Sequence, residues 1–146
     1  MKRAFTASVT AVILLGLLSI SGAHAQSGCT DLTLTGSYGF SDSGFATPGP
    51  TVKGNEVPFA TVGVLTFDGA GNVSVSYTTV LNGAISTNLT GSGTYTLDSG
   101  CAGSMSFTTG AAAGVTYNIV TVGGGAEVFG IATVGGATQT LDAKKL

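Results

Sequence analysis

The chain has 146 residues, of which only 8% are charged and 24 are glycine, and its formal net charge is −2. Five basic residues, spread out, leave no cluster able to neutralise phosphates, which excludes a nucleic-acid-binding surface. There is one histidine and no tryptophan.

Lys2 and Arg3 precede an apolar run from Val9 to Ile20, which leads to Ala23-His24-Ala25, small residues where a signal peptidase reads. Residues 1–25 are therefore expected to be a cleaved signal peptide, with Gln26 as the new N-terminus and no membrane span in the mature chain. Removal of that segment leaves 121 residues, enough for a single domain over residues 26–146. His24 departs with it, and so does the only arginine. Three lysines then face seven carboxylates, a net charge of −4. Histidine-dependent triads, histidine-bound zinc and arginine clamps are excluded from the mature chain. No cofactor, metal or catalytic residue is assigned, and a secreted or periplasmic location is expected.

Cys29 and Cys101 are the two cysteines, and an even pair in an exported chain points to a disulfide. From there on, period-two alternation replaces helical spacing. Leu32, Leu34, Tyr38 and Phe40 share one parity, with polar or small residues on the other. Val73, Val75 and Tyr77 repeat the pattern, as do Met105 and Phe107. Further strands are expected at about Phe59 to Phe67, Ala84 to Leu97, Val115 to Val122, Glu127 to Val134 and Thr138 to Ala143. Asp68-Gly69-Ala70-Gly71-Asn72, Asn82-Gly83 and Gly135-Gly136 supply turn residues between them. The stretch Ser41 to Glu56, with Pro48, Gly49, Pro50 and Gly54, is expected to be a long connection. Eight strands joined in sequence are too many to leave edges open and predict an all-β fold, an antiparallel up-and-down barrel.

The segment Gly36-Ser37-Tyr38-Gly39-Phe40 is similar to the Gly-x-aromatic first strand of the calycin barrels: lipocalins, avidins and allene oxide cyclases. Gly36 and Tyr38 match that motif, with Tyr where those families usually carry Trp. The same segment, paired with Thr-Phe-Asp-Gly-x-Gly-Asn at Thr66 to Asn72, resembles small secreted bacterial proteins. The likeness implies a calycin-like barrel whose floor is closed by the first strand. It brings no ligand or activity. No tryptophan is present for a biotin-type pocket.

Tyr38, Tyr77, Tyr95, Tyr117 and Phe107 are the candidates to line a cavity, and Glu127, sharing parity with Phe129 and Ile131, is a candidate inward carboxylate. Asp68 and Asn72 offer too few oxygens for calcium and read as a turn. The barrel is expected to be closed at the Tyr38 end, with at most a shallow apolar pocket at the other. Both faces of the hairpin over residues 115–134 are apolar, so its outer face is expected to meet a second copy of the chain or the Ser41 connection. The expected function is binding of a small apolar or amphipathic ligand. The alternative is a structural or protein-interaction module of the cell envelope with no ligand cavity, and a third reading is a cyclase- or isomerase-like enzyme, which would need a buried carboxylate facing a pocket.

Overall fold

The structure is a computed structural model that describes residues 28–46 and 56–146. The expected signal peptide, and the part of the expected connection that holds Pro48, Pro50 and Gly54, lie outside the described residues. A 3-10 turn at Asp31–Thr33 leads into eight strands: β1 (Thr35–Ala46), β2 (Val57–Asp68), β3 (Asn72–Leu81), β4 (Ala84–Leu97), β5 (Ala102–Gly110), β6 (Thr116–Val122), β7 (Glu127–Ala132) and β8 (Ala137–Lys145). Each pairs antiparallel with the next, and β8 pairs with β1, so the sheet closes into an up-and-down barrel. Among the described residues no helix is long and apolar enough to cross a membrane.

Alternation decides which side chains enter the barrel. On β1 the inward row is Tyr38, Phe40 and Asp42, on β2 Leu65 and Phe67, and on β3 Val73 and Val75. β6 contributes Tyr117, Ile119 and Thr121, and β8 contributes Gln139, Leu141 and Ala143. The turns follow local chemistry. Asn82 and Gly83, both at positive φ, form the two-residue link from β3 to β4. In the β2–β3 turn, Asp68 Oδ1 accepts the Ala70 and Asn72 N–H groups at 2.7 and 2.9 Å, and Asn72 Nδ2 donates to Asp68 Oδ2. Those bonds, led by the Asn72 side chain, hold the Asp68 carboxyl below the usual carboxylate range.

Three boundaries differ from the sequence expectation. Ser41 to Ala46 is strand, because it is paired on both sides, to β2 and to β8; ladder hydrogen bonds outweigh the weak strand propensity of Ser, Asp and Gly. Leu32 lies in the 3-10 turn and is 70% exposed, outside the inward row that begins at Leu34. β7 stops at Ala132, so Val134 falls in the link to β8.

The outer face of the β6–β7 hairpin carries Val120, Val122, Phe129 and Ile131, each at least 40% exposed. Val120 stands opposite Phe129. Within the described chain nothing covers this strip, although residues 47–55 are outside it.

Cys29 and Cys101 form the disulfide, with their Cα atoms 4.9 Å apart and a sequence separation of 72. The bridge ties the segment before β1 to the β4–β5 turn. Replacing both cysteines with alanine is expected to lower the unfolding free energy by about 4 kcal/mol, the chain entropy of so long a closed loop. Urea unfolding of the variant measures that loss, and thiol titration of the denatured, non-reduced protein is expected to find no free thiol.

Candidate functional site

The two ends of the barrel differ in side-chain volume. At one end Tyr38, Phe67 and Tyr95 stack edge to face, with ring centroids 5.2 and 4.9 Å apart and planes at 86° and 85°. The two tyrosine hydroxyls are used to lock the floor. Tyr38 donates to the Gly125 carbonyl at 2.6 Å, and Tyr95 donates to the carbonyls of Asp31 and Leu34 at 2.7 and 2.9 Å. Asp31 in turn accepts the Leu97 N–H at 2.7 Å. With the disulfide beside them, these contacts close this end.

Toward the other end the inward positions become small. Gly63 on β2 and Gly91 on β4 face inward, and a Cβ at Gly63 would lie 2.6 Å from the Tyr77 Cβ. The space left open is a cavity of about 280 Å³. Phe40, Leu65, Val75, Phe107 and Leu141 line its inner part, with Tyr77, Thr61 and Thr79 on the wall and Phe59 and Leu81 among the residues nearer the strand ends. This lining is apolar apart from a few groups, the usual construction of a small-molecule pocket.

The polar groups converge. Asp42 from β1, Tyr117 from β6 and Gln139 from β8 all line the cavity and are 5%, 3% and 9% exposed. Tyr117 donates its hydroxyl proton to Asp42 Oδ2 at 2.7 Å, and Gln139 Nε2 donates to the same oxygen at 2.6 Å. Gln139 Nε2 also reaches the Tyr117 hydroxyl oxygen. Asp42 Oδ1 is buried and has no hydrogen-bond partner.

The strand register explains how Tyr117 spans two strands to reach β1. Ile119 stands opposite Gly130 on β7, and Gly130 opposite Leu141 on β8. Gly130 lies beside the Tyr117 ring, and a Cβ there would stand 3.4 Å from it, in ordinary van der Waals contact. Asp42 and Gln139 are diagonal neighbours, since Asp42 faces Leu141 and Gly44 faces Gln139.

Burial raises the Asp42 carboxyl above the ordinary carboxylate range, against the opposing effect of the hydrogen bonds from Gln139 and Tyr117. Burial also raises the Tyr117 hydroxyl, and the neighbouring Asp42 charge adds to it, so Tyr117 stays protonated and acts as a donor. Among the described residues lining the cavity, Asp42 is the only charged one. The cluster can therefore hold or release a proton at Oδ1, or accept a donor there.

Comparison with protein-family models, with curated proteins and with solved structures finds no match.

Of the residues singled out from the sequence, Tyr77, Tyr117 and Phe107 line the cavity. Tyr38 and Tyr95 do not: both belong to the floor, because the bulky end of the barrel consumes their rings and hydroxyls. Glu127 does not point inward. Its neighbour Val128 is fully buried, so parity turns Glu127 outward, where it pairs with Lys144 at 3.1 Å. Phe129 and Ile131, which suggested an inward row, are themselves on the outer face.

Asp42 and Gln139 were not singled out. The parity of Tyr38 and Phe40 runs on to Asp42, and that of Leu141 and Ala143 runs back to Gln139, which is the signal available in the sequence. The expected apolar pocket is a cavity of about 280 Å³ whose lining also holds the polar groups Asp42, Tyr117 and Gln139.

Because the folded state holds the Asp42 proton more tightly than the unfolded chain, stability from this group is complete below the ordinary carboxylate value and is lost as pH rises through the raised folded value. Asp42→Asn removes that loss. The variant is expected to melt higher than the parent near pH 7, with the difference vanishing toward about pH 3; thermal unfolding across that range reads it directly.

Proposed function

We propose that this is an exported binding protein whose barrel takes up one small amphipathic molecule, its apolar body against Phe40, Val75 and Phe107 and its polar end at Asp42, Tyr117 and Gln139. The observation that carries this reading is the buried, unpartnered Asp42 Oδ1 in the wall of a mainly apolar cavity. A buried oxygen without a partner costs about 1–3 kcal/mol. A ligand that satisfies it recovers that cost on binding.

Export is supported by the disulfide, which persists in oxidising compartments such as the periplasm or the extracellular space. The signal-peptide pattern of residues 1–25 agrees with it. A calycin-like ancestry fits the closed eight-stranded barrel and the floor position of Tyr38, and stays part of the proposal.

The alternative of a structural or interaction module without a cavity loses support from the 280 Å³ space, which a filled interior would not leave. A cyclase- or isomerase-like activity would draw on the same Asp42 carboxyl, and it too begins with binding in this cavity.

Filling the cavity tests the reading. Thr79 is part-buried on the wall, and its hydroxyl bonds Thr61 at 2.8 Å. Thr79→Trp is expected to abolish binding of a hydrophobic fluorescent probe that saturates at one site on the parent, with the barrel still folded by circular dichroism. Absence of any saturable site on the parent would sink the binding function.

The exposed strip of Val120, Val122, Phe129 and Ile131 makes a separate expectation, that two copies associate through residues 115–134. Sedimentation equilibrium at high micromolar concentration is expected to show a dimer that Phe129→Lys converts to monomer. A monomeric parent would leave the strip as plain surface.

A further inference from the structure

The two oxygens of Asp42 are treated differently by the fold. Oδ2 receives two donors, the Tyr117 hydroxyl and the Gln139 amide, and Oδ1 receives none. The two donors stand 2.7 and 2.6 Å from Oδ2. Two donors on one carboxylate oxygen favour the anion, and they leave it without a countercharge. From β3 the facing group is Tyr77, from β6 Tyr117, and from β8 Gln139 and Leu141. Among the described residues lining the cavity there is no lysine, arginine or histidine and no second carboxylate. Lys144 and Lys145 end β8 beside the floor, Lys144 on Glu127 and Lys145 over the Tyr38 ring at 5.9 Å.

A ligand that brings both a donor and a positive charge to Oδ1 meets both deficits at once. We propose that the cavity is selective for a small primary or secondary amine on an apolar body, its ammonium donating to Asp42 Oδ1 and its hydrocarbon part lying against Phe40, Leu65, Val75 and Phe107. This rests on the binding function proposed above and names the ligand class. An aromatic wall suits it further, since Phe and Tyr faces attract a desolvated cation. A ketone or ester would need the opposite state, a protonated Oδ1 acting as donor. The two classes therefore respond to pH in opposite directions. Amine affinity falls as the medium is acidified through the raised Asp42 value, whereas carbonyl affinity falls as it is made more basic.

The test is calorimetric titration of the purified protein with octylamine, octanol and methyl hexyl ketone, which share an apolar chain of similar length. Octylamine is expected to bind once per chain, at least ten-fold tighter than the other two near neutral pH. That preference is expected to disappear in Asp42→Asn and on acidification, and to persist in Glu127→Gln, whose carboxylate lies on the outside. Asp42→Ser gives the same comparison where the asparagine variant does not fold. Lys53, outside the described residues, is tested by Lys53→Gln, which is expected to keep the selectivity; amine binding that emerges only in that variant would overturn the proposal. If octanol or the ketone binds at this site as tightly as the amine, or if Asp42→Asn keeps the amine preference, the amine proposal fails and the binding function stands. If none of the three binds, both fail.

Discussion

Closure of β8 onto β1 is the constraint from which the rest of this structure follows. Nine residue pairs, from Tyr38 opposite Lys145 to Ala46 opposite Ala137, join the ends of the meander. Closure removes both sheet edges, which would otherwise be templates for aggregation, and it makes the division between inside and outside absolute. Each strand then has one inward row, and the interior must be filled by those rows or left empty. It also turns Ser41 to Ala46, a stretch with weak strand propensity of its own, into a fully paired strand and so carries Asp42 into the barrel.

Volume is distributed unevenly along the axis, and this separates stability from function. The floor is made of the largest side chains, with Tyr38, Phe67 and Tyr95 almost fully buried and both tyrosine hydroxyls bonded to backbone carbonyls. The disulfide anchors the segment that crosses it. At the opposite end the inward rows hold Gly63, Gly91, Thr61 and Thr79, and among the described residues no side chain occupies the centre. A barrel closed by bulk at one end tolerates a cavity at the other because the closed end supplies the cohesive core. The cavity can then hold a polar group that the core could not.

The Asp42, Tyr117 and Gln139 cluster illustrates how a polar group is kept inside an apolar shell. A carboxyl buried among Phe40, Leu141 and Phe107 would be costly if wholly unsatisfied, and the two donors on Oδ2 offset part of that cost. Desolvation still outweighs them, and the group titrates above its ordinary range. The remaining imbalance sits on Oδ1, at the cavity. Glu127 is the contrasting case. It lies on the outer face, paired with Lys144 in contact with solvent, and an exposed pair of this kind contributes little.

Much of the architecture is legible in the order of residue types alone. The alternation around Val73, Val75 and Tyr77, the turn residues Asn82-Gly83 and Asp68 to Asn72, and the even cysteine pair are local or compositional signals, and they lead to eight strands, a barrel and a disulfide. The part of the site that is legible is also local: Tyr77, Tyr117 and Phe107 sit on clean inward rows. Which aromatic becomes floor and which becomes wall is not local, because it depends on the axial height each residue reaches once the strands are staggered and closed. Tyr38 and Tyr95 are indistinguishable from Tyr77 by parity, and only the packing against Phe67 separates them. The outward position of Glu127 is not legible from parity, because Phe129 and Ile131 are large and apolar yet face outward, so composition and burial disagree on that strand. Asp42, Gln139 and Tyr117 come from three different strands, and nothing in their sequence spacing brings them together. Period-two patterning determines the face of each residue; barrel closure and strand stagger determine its neighbours, and the polar site exists only at that second level.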